Sequence, residues 1–161
     1  MQEKPWDITI IGGGAAGLAT AIFSAEKALE KRVETRILIL DGARKLGAKI
    51  LISGGGRCNV THNQVDETDY NGSVNIIRRT LKSFNHIQAA QWFEALGVSL
   101  KTETTGKLFP TSDSARSVLT ALLERCKALG IKILTSSRVE NLRPAGNHFV
   151  LDVANNQFRS K

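Results

Sequence analysis

The sequence predicts an α/β fold built on a parallel sheet with crossover helices, and three observations carry that prediction. "WDITIIGGG" runs a β-rich stretch, Ile8 to Ile11, directly into glycine. "AAGLATAIFSAEKALE", from Ala15 to about Glu30, is rich in helix formers, with Leu18, Ile22, Ala25 and Leu29 recurring at helical spacing. "RILIL" at 36–40 reads as a second strand of the fully buried kind, closed by Asp41-Gly42. Strand, helix and strand within about 35 residues favour two parallel strands joined by a right-handed crossover.

The remaining elements follow in order. Residues 42–75 are loop-rich and hold a glycine triple. Two helices are expected at about 74–83 and 86–96, the second stopping at Gly97. "VSLKTETTGKLFP" alternates around Thr105-Gly106 and predicts a small hairpin. "DSARSVLTALLERCKALG" reads as an amphipathic helix with Asp113 as N-cap and Gly130 past its end. "IKILT" (131–135) is a third candidate for the parallel sheet. "RVENL", "HFVLDV" and "QFRSK" are short strand-like pieces, separated by "RPAGN" and "ANN", and predict a β-meander. A meander that stops in "QFRSK" with no further element leaves an open edge, so the expectation is a C-terminally truncated domain.

Composition narrows the function classes. The 161 residues suffice for one domain with a real core. No apolar run approaches the roughly 20 residues of a membrane span, and the N-terminus lacks the pattern of a secretory signal. Cys58 and Cys126 form no CxxC pair and no disulfide framework, which favours a reducing, cytoplasmic setting. His62, His86 and His148 show no metal-ligand spacing, so no metal is expected. The net charge of +7 raises nucleic acid as a partner. The basic residues are scattered without interleaved aromatics, however, and that disfavours it.

Two stretches carry chemistry. "GGGAAG" at 12–17 satisfies G-x-G-x-x-G with Gly12, Gly14 and Gly17. Gly12 permits the tight turn, Gly14 lets a pyrophosphate reach the backbone, and Gly17 allows close helix–strand packing. The motif follows a strand and opens a helix, the Rossmann-like context that gives it meaning. Asp41, at the end of the second strand, can accept hydrogen bonds from ribose hydroxyls and would repel a 2′-phosphate, which disfavours NADP there. An ordinary Asp-Gly turn is the alternative.

The second stretch is "ILISGGGRCNVT" at 50–61. Three consecutive glycines are entropically expensive to order, so something is expected to approach the backbone closely. Gly54, Gly55 and Gly56 would permit that approach, Arg57 would screen a pyrophosphate, and Asn59 would supply a side-chain hydrogen bond. A mobile loop is the alternative. Cys58, without a resolving partner, reads better as a small packing residue than as a redox centre.

"DITIIGGGAAGLATA", "LILDGARKLGAKILISGGGRCNVT" and "GKLFPTSDSARSVLTALL" together resemble the BaiN/YhiN-type flavoprotein family, whose members are often labelled aminoacetone-oxidase-like FAD-binding enzymes. The match runs in order over nearly the whole chain. The resemblance implies an FAD-binding oxidoreductase domain spanning 1–161, incomplete, with an insertion at about 62–112. Gly12, Gly14, Ala15, Ala16 and Gly17 would line the FAD pyrophosphate, and Asp41 with Gly42 the adenosine ribose. Lys49 and the loop Ser53, Gly54, Gly55, Gly56, Arg57, Cys58 and Asn59 would cover the pyrophosphate toward the flavin. The backbone of Val139 would meet the adenine. Departures from the family pattern are Ala48 where an arginine is common, His62 for asparagine and Lys107 for arginine. They leave charge compensation resting on Arg57 and Lys49.

The resemblance implies flavin-mediated electron or hydride transfer to or from an unidentified small molecule, with NAD(P)H a candidate electron donor. It names no catalytic residue, and His62 reads as a bystander. A stand-alone NAD- or ADP-binding module without redox activity is the second reading. A non-enzymatic basic binding protein is the third.

Overall fold

The computed structural model describes residues 4–154 and 156–161, which divide into two compact units. One comprises Met1–Ala48 with Leu122–Lys161; the other is Lys49–Ala121.

The first unit holds the parallel sheet. Strand β1 (Ile8–Ile11) leads into helix α1 (Ala15–Glu30) and then strand β2 (Ile37–Leu40). β2 is buried along its whole length, as a strand covered on both faces must be. Its alternate residues serve different faces. Leu38 and Leu40 join Leu151 and Val153 in a core cluster flanked by Trp6, Leu134, Val139 and Phe158. Helix α1 packs against β1 and β2, burying Leu18, Ala21, Ile22 and Ala25. Each large side chain buried this way contributes about 1.5–3 kcal/mol.

The second unit begins with the short helix α2 (Ala48–Ile52), which starts one residue earlier in the chain. A 3-10 turn, Ser53–Gly56, follows, so the predicted loop region is partly helical. Next come strand β3 (Thr61–His62) and helices α3 (Val74–Ser83) and α4 (His86–Ala95). α4 is opened by an Asn85–Gln88 capping box that the sequence reading did not single out. Strands β4 (Leu100–Thr102) and β5 (Lys107–Pro110) form the expected hairpin, and β3 adds to β5, giving the antiparallel order β3-β5-β4. Helix α5 (Ala115–Ala128) contributes residues to both units.

Strand β6 (Lys132–Leu134) then completes the parallel order β1-β2-β6. Strands β7 (Asn141–Ala145), β8 (His148–Val153) and β9 (Asn156–Ser160) form the antiparallel meander.

Two expectations need correction. Asp113 is not the cap of α5: the helix starts at Ala115, and Asp113 stands one residue too early, at φ 51°, with its carboxylate on Lys101. The strand expected in "RVENL" is shifted: β7 starts at Asn141 and runs through Pro144, a residue of the expected separator "RPAGN". Proline is tolerated because β7 is an edge strand, pairing only with β8.

Candidate functional site

At the end of β1 the chain turns through three glycines. Gly12 donates its N–H to the Leu40 carbonyl (2.8 Å), tying the turn to the end of β2. Gly13 donates to Asp41 Oδ2 at 2.5 Å, and Ala43 donates to Asp41 Oδ1 at 2.7 Å. Asp41 therefore staples the glycine turn to the loop after β2. A carboxylate has about four lone-pair sites, so capacity for ribose hydroxyls remains after both staples. Gly13 was missed by the motif reading, which treats that position as variable. A Cβ there would press on Leu46 Cδ2 at 2.6 Å.

The two motif glycines beyond it behave differently. A Cβ built at Gly14 meets nothing within 4 Å, so the backbone there is open to approach. At Gly17 a Cβ would overlap the Gly12 carbonyl oxygen and lie 3.3 Å from Ile10 Cγ2. Gly14 is the N-cap of α1, in extended conformation, and supplies no side-chain cap. The first turn holds no acidic residue either, and Ala15 and Ala16 are exposed, so the positive end of the helix is uncompensated from within.

A cavity of about 570 Å³ opens beside this turn, lined by Gly12, Asp41, Gly42, Ala43, Arg138 and Val139 among others. Its far wall is fixed by backbone bonds: Ser137 N–H to the Asp41 carbonyl (2.8 Å) and Ser136 N–H to the Ala43 carbonyl (3.0 Å). Gly42 lies under Arg138, whose Cβ would stand 3.1 Å from a Cβ added at Gly42. The cavity size suits a nucleotide-sized ligand. The sequence reading placed Val139 here but passed over Arg138. Adjacency to Val139 was the available signal.

In the second unit the glycine triple is a backbone device. Gly54, Gly55, Gly56 and Cys58 all take positive φ, at 54°, 67°, 85° and 64°. A Cβ at Gly54 would come 2.8 Å from Phe109 Cε1 and 2.9 Å from the Asn59 nitrogen. Ser53 Oγ donates to the Ile50 carbonyl (2.8 Å), and Cys58 N–H donates to the Ser53 carbonyl (3.0 Å). Cys58 is buried. With its side-chain amide flipped, so that O and N exchange places, Asn59 donates to the carbonyls of Thr61 (2.8 Å) and Leu108 (3.3 Å).

Arg57 already has partners. Its guanidinium lies over the Phe109 ring, 4.0 Å from the centroid, donates to Glu103, and stands 3.8 Å from Asp113. The Glu103 hydrogen bond, above all, holds Arg57 still more firmly protonated than usual. Asp113 is held below the ordinary carboxylate range by the Lys101 hydrogen bond first, with Arg57 adding to it. Glu103 and Asp113 lie far along the chain from Arg57, and sequence reasoning did not connect them to it. Lys49 is exposed and has no ion-pair partner among the described residues. His62 uses its ring to hold the hairpin, with Nε2 2.7 Å from the Thr105 carbonyl.

Burial pushes the Cys126 thiol up to about 11, which makes it unreactive at neutral pH. Among the described residues no cluster of His, Cys, Asp and Glu is arranged to hold a metal ion. Among the same residues no helix is long and apolar enough to cross a membrane.

Comparison with known proteins fits this geometry. Residues 6–161 match the family described as the HI0933-like protein Rossmann domain. The chain is 35% identical over 152 residues to a 3-dehydro-bile acid delta(4,6)-reductase of Clostridium scindens, covering 94% of this chain and 36% of the relative. It is 30% identical over 149 residues to a ribosomal RNA dihydrouridine synthase of Escherichia coli, covering 92% and 36%. The chain thus spans little more than a third of the length of these relatives. Among solved structures it resembles a 3-ketosteroid-delta4-(5alpha)-dehydrogenase of Rhodococcus jostii, at 12% identity and TM-score 0.70, over 100% of this chain and 44% of that one. It also resembles THI4 of Thermovibrio ammonificans, at 15% identity and TM-score 0.60, over 98% and 55%. Those two likenesses show the fold. The chain belongs to the HI0933-like family, the group the sequence motifs resemble, and its Rossmann-like domain is of the FAD-binding, flavoprotein kind.

Proposed function

We propose that this chain, as a member of that family, is the FAD-binding portion of a cytoplasmic flavoprotein oxidoreductase that saturates a carbon–carbon double bond conjugated to a carbonyl. The observation that carries the reading is the open Gly14 turn stapled to Asp41 beside a nucleotide-sized cavity. FAD, when bound, supplies two-electron transfer as hydride; the protein holds it, orients it and excludes water.

Gly14 admits the pyrophosphate to the backbone, and the N–H groups of Ala15, Ala16 and Gly17 face it from an uncapped helix end. The free lone pairs of Asp41 accept from the ribose hydroxyls beside Gly42. The Val139 backbone meets the adenine. Lys49 and the loop from Ser53 to Asn59, including Gly54, Gly55, Gly56 and Cys58, are assigned to the same cofactor by the family resemblance. In that assignment Lys49 supplies charge, and Arg57 does so only by giving up part of its hold on Glu103 and Asp113.

The substrate class follows from the relatives' names. A delta(4,6)-reductase and a dihydrouridine synthase share one reaction type: hydride adds to an electrophilic carbon of a π system conjugated to a carbonyl, the β carbon of a simple enone, and a proton completes the saturated C–C bond at its neighbour. NAD(P)H is the proposed source of the hydride. A small enone is the proposed acceptor; uridine in RNA, the substrate class named for the second relative, is the alternative that the reoxidation test separates.

Equilibrium titration with FAD tests the site. Asp41→Ala should weaken binding by about 1.5–3 kcal/mol through loss of charged hydrogen bonds. Unchanged affinity would remove Asp41 from the site. Anaerobic reoxidation of the NADH-reduced protein by a steroid enone, compared with a uridine-containing RNA, tests the substrate class. Reoxidation by neither would count against it.

A further inference from the structure

We propose that Arg138 covers the face of the base of the bound nucleotide, adenine in FAD, and sets the preference of this cavity for ligands that carry a nucleobase. The inference rests on the FAD reading and adds a residue that the glycine motifs leave out. Arg138 lines the cavity together with Asp41, Gly42 and Val139. Its main chain is held in place by the two residues before it, through the bonds from Ser136 to Ala43 and from Ser137 to Asp41. The separation of 3.1 Å to a Cβ at Gly42 shows how tightly the two segments meet. Position 138 is therefore fixed at the cavity, whatever its side chain does.

The side chain has no structural employment. Arg57, Arg78 and Arg125 each pair with a carboxylate, whereas Arg138 is exposed and pairs with none among the described residues. A guanidinium is planar, weakly hydrated and stacks on aromatic faces. An anion such as a 2′-phosphate would be repelled by the nearby Asp41 carboxylate. A neutral aromatic base would not be, and every nucleobase offers a π-face. Adenine beside the Val139 backbone is the ligand group that uses this cation.

The test is calorimetric titration of the purified chain, Arg138→Ala and Arg138→Lys with FAD, ADP, 2′-phospho-ADP and FMN. Arg138→Ala should weaken ADP and FAD about five- to thirtyfold. FMN, which lacks adenine, should bind equally to all three proteins. Arg138→Lys should recover little, because an ammonium offers charge without a plane. Melting without ligand should be unchanged, since the side chain is exposed and unpaired. Retention of ADP and FAD affinity within about twofold in Arg138→Ala would overturn the assignment. So would full rescue by lysine, or a loss confined to 2′-phospho-ADP. If the unmutated chain binds neither FAD nor ADP, the nucleotide reading itself fails and takes this one with it. Wild-type binding distinguishes the two failures.

Discussion

A Cβ added at Gly14 would meet nothing within 4 Å, whereas one added at Gly54 would strike Phe109 and the Asn59 backbone. The turn at 12–17 and the loop at 53–59 look alike as text, and each has a charged residue attached. In the first, the backbone at Gly14 is open, and the charge, on Asp41, is anchored by backbone N–H groups with lone pairs to spare. In the second, consecutive positive φ angles demand glycine, and the charge on Arg57 is already answered by Glu103 and Asp113. Glycine enrichment thus accompanies two different geometries, an open backbone in one place and left-handed backbone in the other.

The contrast can be broken by mutation, beginning with the largest effect. Phe109 is buried and carries both Gly54 and the Arg57 guanidinium, so Phe109→Ala should lower stability by about 3–5 kcal/mol in urea unfolding. A loss below about 1 kcal/mol would mean that the loop does not depend on the ring. Gly17→Ala comes next. Its methyl would overlap a main-chain oxygen that cannot swing away, and overpacking of this kind costs about 1–3 kcal/mol. An unchanged urea midpoint would contradict the packing role.

The smallest effect is a pH dependence confined to the loop. The Asp113 carboxyl is held below its ordinary range in the folded protein, so its contribution is fully present above the unfolded value and disappears as pH falls through the folded one. Amide protection at 53–59, relative to the intrinsic exchange rate at each pH, should therefore fall only in acid, below about pH 4. Asp113→Asn should show the lower protection already at neutral pH; equal protection would detach Asp113 from the loop.

Much of the fold was legible because its signals are local. The apolar run at 37–40, the helical spacing of Leu18, Ile22 and Ala25, and the turn at Thr105-Gly106 each lie within a few residues of one another. What escaped depends on distance along the chain. No spacing rule connects Arg57 with Glu103, or places Arg138 over Gly42. Asp113 looked like a helix cap because aspartate before a helical stretch usually is one, but Lys101 holds its carboxylate on the hairpin instead. Pro144 misled for the opposite reason: its missing donor is harmless on an edge that has no second neighbour. At the turn, the open backbone of Gly14 and the tight packing of Gly17 agree with what the motif leads one to expect of those two positions. The stapling of Gly13 by Asp41 needed coordinates, because it spans the whole crossover.

The central claim is that the open backbone at Gly14 receives the cofactor. Its most direct test is the visible spectrum of the purified chain and of Gly14→Val, each incubated with FAD and desalted. The wild-type chain should keep its flavin colour. Gly14→Val should lose it while unfolding in urea within about 0.5 kcal/mol of wild type, since a Cβ at that position meets nothing within 4 Å. Flavin retained by a folded Gly14→Val protein would contradict the account.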